Sequence, residues 1–457
     1  MKFSEKWLRE WVNPALDSNS LDEQLSLAGL EIDSREAAAG EFSGVVIGEI
    51  LTAEPHPNAD KLQVCSVTDG TETVTVVCGA PNARAGLKTA FARIGAVLPG
   101  NFKIKKAKLR DVESFGMLSS EQELGLSESH DGIMELPANA PVGEDIRTYL
   151  QLDDQIFDVD LTPNRSDCLS IAGLARELGV LNKMSVTQPA FNRIAAVIDD
   201  QPKINLEAPT ACPRYLGRII RGVNIQAVTP LWMQEKLRRG GIRSLDPVVD
   251  ITNYVMLELG QPLHAFDLAN ISGGITVRFA KENEALTLLN GTALTLKSDN
   301  LVIADEQKIL ALAGIMGGDA SGCNEVTKDL MLEVAYFDPL SLAGKARGYG
   351  LHTDASHRFE RGVDFKLQAR AMERATELLL EITGGKAGPI TEVISEAHLP
   401  VRQPVTLRKD RLEKLLAIRL PDAEVNDILS RLGLEVTDIG AAWLTQVPRS
   451  KSYARPP

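Results

Sequence analysis

Residues 332–364 read LEVAYFDPLSLAGKARGYGLHTDASHRFERGVD. Leu332, Val334, Ala335 and Phe337 form a strand-like apolar run around one carboxylate, Glu333. Because strand side chains alternate between faces, the run predicts a strand that is at least half buried. A carboxylate on or beside a buried face is costly unless it finds a partner. A glycine-punctuated turn follows, then the polar run His352-Thr353-Asp354-Ala355-Ser356-His357-Arg358 ahead of a long helix. Two of the six histidines fall here. Two readings stand side by side. Asp354 or Ser356 merely caps a helix, with His357, Arg358 and Arg361 in solvent, or the stretch builds a site.

At 457 residues the chain is too long for one core, and two to four domains are expected. Hydrophobic residues at 44%, charged residues at 24% and a mean hydropathy of −0.07 describe a soluble globular protein without a membrane partner. The start, MKFSEKWLREWV, lacks the apolar stretch of an export signal, so a cytoplasmic location is expected. The five cysteines are odd in number and contain no CxxC pair, which predicts free thiols rather than a zinc site. With 62 acidic against 49 basic residues, a polyanion needs a local basic surface.

Trp7, Leu8 and Trp11 make a small helical packing element within residues 1–40. Residues 41–150 change texture to short strands, VVIGEIL, KLQVCSVTDG, TVTVVCG, KTAFARIG and FKIKKAKLR, which suit a small closed barrel of the OB type. Lys103, Lys105, Lys106, Lys108 and Arg110 crowd the last strand. Alternation puts the first two on one face and the other three on the opposite face, unless a bulge intervenes. A solvated outer strand and a phosphate track are both compatible with that run. Residues 151–202 hold an Asp167-capped helix and a linker. Residues 203–400 alternate strand and helix signals in a mixed α/β domain, with Asn290-Gly291 predicting a two-residue hairpin turn. Residues 401–457 read as a partial helix–strand unit with Asp410 as a cap. The fold class is therefore α+β and multidomain.

The segments PHPNADKLQVCSVTDG (55–70) and KLRDVESFGMLSSEQELG (108–125) resemble the tRNA-binding OB domain that bacteria attach to aminoacyl-tRNA synthetases. The motif residues are His56, Pro57, Asn58, Asp60, Lys61 and Leu62, together with Ser114, Gly116 and Met117. The resemblance makes His56, Asn58, Lys61, Ser114 and Met117 candidates for RNA contact beside the basic run. Asp111 stands where that family usually carries glycine.

GIRSLDPVVDITNYVMLELGQPLHAFD (241–267), AGIMGG (313–318), LEVAYFDP and HTDASHRFERGVD occur in the order and spacing of the bacterial phenylalanyl-tRNA synthetase β subunit. The resemblance runs from Met1 to about Pro448. It implies that the middle domain edits, hydrolysing tyrosine wrongly esterified to tRNA(Phe). It places the pocket on Arg243, His264, Gly317, Glu333, Thr353 and Ala355, with the glutamate meeting the tyrosine hydroxyl. It also implies an α subunit partner in an α2β2 enzyme that uses ATP and magnesium, with activation in the α subunit. The β-subunit magnesium ligands are expected in sequence that would follow Pro448, where the resemblance stops as if truncated. No cofactor, metal or DNA partner is expected in the stretch present.

The physical case is coherent. Phenylalanine and tyrosine differ by one hydroxyl, which a hydrophobic pocket rejects poorly. A second site that hydrogen-bonds the hydroxyl does the converse, because its buried acceptor stays unpaired when phenylalanine enters, at about 1–3 kcal/mol. A rival triad of Ser356, His357 and Asp364 is disfavoured because neighbouring helical residues face different sides. The non-enzymatic alternative is a tRNA-binding and assembly module in which the polar run is only a turn.

Overall fold

The computed structural model describes residues 1–128 and 131–446. The chain forms two compact units, one made of Lys2–Lys6 with Ser34–Asp158, the other of Met1, Trp7–Asp33 and the chain from Val159 onward. Among the described residues no helix is long and apolar enough to cross a membrane.

In the smaller unit an antiparallel sheet runs in the order Met117–Ser119, Lys88–Leu98, Ser43–Pro55, Gln63–Thr68, Thr73–Cys78, and Phe102–Lys103 adds to the end of Lys88–Leu98. Val46, Ile50, Val67, Val76, Phe91 and Leu118 fill its core. The expected closed barrel is not found, because no ladder joins Met117–Ser119 to Thr73–Cys78. Those edges are bridged by the Phe115 N–H to the Thr75 carbonyl (2.8 Å) and the Val77 N–H to Ser114 Oγ (3.0 Å). Pairing stops where the chain turns at Gly116, whose φ is +145° and where a Cβ would lie 2.4 Å from the Phe91 ring.

The basic run is not one strand either. Ile104 is buried, its N–H bonded to the Ala96 carbonyl (2.8 Å) and its carbonyl to the Gly95 N–H (2.9 Å). The chain then leaves the sheet and forms a separate hairpin, Ala107–Leu109 against Val112–Ser114. Its two-residue turn, Arg110 (φ 44°) and Asp111 (φ 74°), is of the left-handed kind that twisted hairpins favour. A three-stranded sheet, Lys2–Ser4, Gln155–Asp160, Glu31–Ala37, completes this part of the chain.

The larger unit stacks two sheets and a helical layer. One sheet has the order His264–Asp267, Asp329–Tyr336, Arg214–Arg221, Lys386–Ala387, with Thr391–Ile394 also pairing on Arg214–Arg221. The other has the order Ile204–Leu206, Ile275–Phe279, Leu301–Ala304, Ile309–Leu312, Met316–Gly317. Tyr215, Phe266, Val277, Ile303, Met331 and Ala335 pack together in a core shared by both. Helices Pro247–Leu259 and Gln368–Thr383 pack on each other, and the second lies against Asp329–Tyr336. That strand is consequently buried along both faces, more than the half burial its alternation implies.

Local expectations shift in instructive ways. Ser170, not Asp167, caps Ile171–Leu181, accepting from the Gly173 N–H at 3.1 Å, since the Asp167 carboxylate is held by arginines. The Asn290-Gly291 turn is longer than two residues. Only Gly291 is left-handed (φ 79°), and the Leu288 N–H bonds the Thr292 carbonyl. A two-residue turn of the expected type needs positive φ at both central residues. Toward the end, Val405–Arg408, Ala442–Gln446 and Glu435–Asp438 make a three-stranded sheet beside helices Lys409–Leu416 and Asp422–Arg431. Asp410 lies in the first turn of its helix but does not cap it. The residues from Pro448 on, which carry the truncation reading, lie outside the described residues.

Candidate functional site

Glu333 sits in the middle of Asp329–Tyr336, directly across from His264 on one side and Gly217 on the other. Cross-strand partners share a face, so the carboxyl and the imidazole point the same way. Met331 and Ala335, two residues to either side, belong to the core between the sheets, so Glu333 points into that layer. It is 6% exposed and has no hydrogen-bond or ion-pair partner among the described residues. Burial alone pushes its carboxyl up to about 8. At neutral pH it is protonated and can both donate and accept a hydrogen bond.

His264 is part-buried and stacks edge-on against Phe266 at 4.5 Å. Its Nε2 is enclosed and without a partner among the described residues. Burial lowers the imidazole to about 4, so the ring is neutral at pH 7. Gly317 explains part of the enclosure. A Cβ there would lie 2.6 Å from His264 Cε1 and 2.9 Å from Leu289 Cδ1, so only glycine leaves the ring its place.

Glu333, His264, Gly317 and Ala355 line one cavity with Met316 and Phe337 among their neighbours. Its volume is about 70 Å³. That is room for waters but well below the roughly 300 Å³ at which ligand pockets begin, so an aromatic side chain enters only if lining side chains swing outward. Thr353 stands one step behind. Its hydroxyl donates to the carbonyl of Ile315, a lining residue, at 2.9 Å and accepts from the Ser356 N–H at 3.0 Å. Arg243 is exposed on the loop between Leu231–Arg239 and Pro247–Leu259 and does not line the cavity. The structure thus gathers four of the six expected residues, with Thr353 in support and Arg243 outside.

Neither cap expected of the polar run is right. Thr353 caps Asp354–Arg361 in a reciprocal pair with Ser356. Arg358 is buried rather than solvated, bonded to Asp354 Oδ1 (2.8 Å) and the Leu169 carbonyl (3.1 Å). Ser356 is committed to the cap and the His357 Nδ1 faces Arg361 at 3.0 Å, so no serine triad forms. Sequence reasoning missed Tyr215 and Cys212, which lie where charge on Glu333 would push both of their pKa values further up. The strand register was the missing signal: Tyr215 is two residues from Gly217 and so on the Glu333 face.

In the smaller unit, several motif residues turn out to hold backbone in place. His56 is buried. Its Nδ1 accepts from the Asn58 N–H (3.0 Å), which leaves Nε2 to donate to the Leu109 carbonyl (3.1 Å). Asn58 donates from its amide to the Arg110 carbonyl (3.2 Å). Together they fasten the loop 55–62 to the Ala107–Ser114 hairpin. Ser114 is 2% exposed and bridges the sheet edges, as described above. Lys61, Lys103, Lys105 and Arg110 are exposed, and Met117 is part-buried. Lys106 pairs with Glu113 (2.9 Å) and Lys108 with Asp111 (3.3 Å).

Among the described residues one cluster has donor atoms within 4.8 Å of one another, Asp167, Cys168 and Glu177. Two guanidiniums already serve it. Arg165 reaches Asp167 (3.3 Å), Glu177 (3.1 Å) and Cys168 Sγ (3.0 Å), and Arg176 reaches Asp167 (3.5 Å). Burial holds the Cys168 thiol protonated, which makes it a poor metal ligand.

A family model described as a B3/4 domain matches residues 211–384, and one described as a putative tRNA binding domain matches residues 45–145. The phenylalanine–tRNA ligase β subunit of Pseudomonas savastanoi pv. phaseolicola is 62% identical over 449 residues, which are 98% of this chain and 57% of that protein. The β subunit from Hahella chejuensis is 60% identical over the same shares. The chain therefore spans little more than half the length of the curated relatives it matches. A solved N-terminal fragment of the phenylalanyl-tRNA synthetase β subunit from Pyrococcus horikoshii aligns at 18% identity and a TM-score of 0.31, over 66% of this chain and 83% of that one.

Proposed function

Because the chain belongs to the phenylalanine–tRNA ligase β-subunit family, we propose that it binds tRNA(Phe) and hydrolyses tyrosine wrongly attached to it. The α subunit would be its partner and would activate phenylalanine with ATP and magnesium, in the cytoplasm. The observation that carries the editing reading is the facing pair of Glu333, buried, and His264, part-buried with its Nε2 enclosed, both neutral at pH 7.

A neutral carboxyl suits a phenol. Glu333 can donate to the tyrosine oxygen and accept its proton, whereas a phenylalanine ring leaves the same buried group unpaired. Neutral His264 has a nitrogen able to accept the proton of a water attacking the ester carbon. The C–O bond to the terminal ribose then breaks, the proton passes to the ribose oxygen, and free tyrosine leaves. Thr353 fixes the Ile315 carbonyl on the cavity wall. Gly317 keeps the imidazole in place, and Ala355 limits the wall to a small side chain. Exposed Arg243 is assigned to the nucleic-acid end of the substrate. RNA approaches the smaller unit, whose basic surface suits an OB-type binding role.

The test is deacylation of tyrosyl- and phenylalanyl-tRNA(Phe). Glu333→Ala should narrow the preference for the tyrosyl ester, by roughly 5- to 150-fold if the whole penalty of about 1–3 kcal/mol is lost. His264→Ala should slow both esters with less change in their ratio. A Glu333→Ala variant that keeps wild-type rate and preference would reduce Glu333 to a structural carboxyl. The small cavity favours one second reading, a tRNA-binding and assembly module without hydrolysis. Wild-type chain that leaves both esters intact would establish it.

A further inference from the structure

A groove of about 750 Å³ opens in the smaller unit between Val77–Pro81 and the segment 102–107. Phe102 on its rim is 59% exposed and Leu109 41% exposed, so the groove presents an aromatic ring and an aliphatic side chain to solvent. The backbone there is firmly held. Phe102 pairs with Leu98, and Ile104 is buried and bonded to Gly95 and Ala96. Ile104 pointing inward turns Lys103 and Lys105 outward and leaves Phe102 on the Ile104 side, so a nucleotide must cross this edge of the groove to meet both the ring and the lysines. Both are exposed and form no ion pair among the described residues, in contrast to Lys106 and Lys108, which are engaged by Glu113 and Asp111. The lining also carries the exposed Glu123, whose carboxylate accepts from the Ser120 N–H (2.7 Å) and hydroxyl (2.9 Å). Phosphate is therefore repelled from the Glu123 side of the groove and attracted to the side of Lys103 and Lys105.

We propose that this groove holds an unpaired nucleotide of bound RNA, its base against the Phe102 ring and its flanking phosphates on Lys103 and Lys105. An exposed aromatic beside unpaired cations is what sequence-tolerant recognition of single strands uses, whereas a duplex hides its base faces and needs only the cations. The volume lies within the range of pockets that enclose a small ligand. The proposal rests on the RNA-binding reading given above and assigns its working residues differently from the sequence. Lys106 and Lys108 each have a neighbouring carboxylate that offsets part of their attraction for phosphate, and Phe102 becomes a recognition residue.

The test titrates the full chain with labelled unstructured RNA, with a duplex of equal length and with intact tRNA. Phe102→Ala should weaken the unstructured RNA roughly tenfold, with its salt slope unchanged, and Phe102→Trp should restore binding. Lys103→Ala with Lys105→Ala should lower the log–log salt slope by about 1.4, two single-strand phosphates at about 0.7 each. Lys106→Ala with Lys108→Ala should change it by less than half as much. These side chains are exposed, so melting temperatures should hold. If Phe102→Ala binds single strands as wild type does while tRNA still binds, the groove proposal is wrong and the RNA-binding reading survives. If wild-type chain binds neither tRNA nor the model RNAs, both fall together.

Discussion

Burial raises the Glu333 carboxyl to about 8 and lowers the His264 imidazole to about 4, so the two residues pull the folding equilibrium in opposite directions. The folded chain keeps the Glu333 proton that the unfolded chain releases near 4.5, so stability falls as pH rises from there through about 8. The unfolded chain takes up a His264 proton below 6.5 that the folded chain refuses until about 4, so stability is also lost as pH falls through that window. Between 4.5 and 6.5 the two effects oppose each other. Above 6.5 only Glu333 acts, with a slope of up to about 1.4 kcal/mol per pH unit. The wild-type melting temperature should drop between pH 6.5 and 8, and Glu333→Gln should remove that drop. Parallel melting curves for the two proteins would mean that the carboxyl is solvated or paired in solution. Glu333 is visible in the sequence as one carboxylate in an apolar run. His264 gave no such signal, because its place opposite Glu333 depends on a register between segments 69 positions apart, and nothing local fixes it.

At the scale of elements, the apolar runs marked where strands lie far better than how they close or break. FKIKKAKLR looks continuous, yet Ile104 is claimed by the neighbouring strand and the lysines after it fold into a hairpin of their own. Glycine is expected at position 111 for a reason the hairpin makes plain. The second turn residue is left-handed (φ 74°), which aspartate tolerates and glycine adopts freely. Asp111 also holds Lys108 at 3.3 Å. Asp111→Gly should therefore free Lys108 for phosphate and steepen the log–log salt dependence of tRNA binding by about 0.7–0.9. Filter binding across a salt series measures it, and an unchanged slope would show that Lys108 does not reach RNA. The helix caps differ from the local expectation for a similar reason. Asp167 and Asp354 are good candidates locally, but part-buried Arg165 and Arg176 engage the first and buried Arg358 the second.

The chain as a whole spans 57% of the relatives it matches, and no Gly-rich phosphate loop occurs in it. Its two units offer a small buried cavity around Glu333 and His264 and a groove edged by lysines. Phenylalanine-dependent ATP–pyrophosphate exchange by the purified chain should stay at background, and robust exchange without an added α subunit would overturn the division of labour proposed here. The opening residues carry a further consequence. Lys2–Ser4 completes its sheet only by pairing with Gln155–Asp160, and the Ser4 hydroxyl is bonded to Asp154. During synthesis this strand must wait for a partner some 150 residues later, roughly 8–30 s at typical elongation rates. In that interval its apolar Phe3, later stacked on Phe157, is open to any passing chaperone or strand edge.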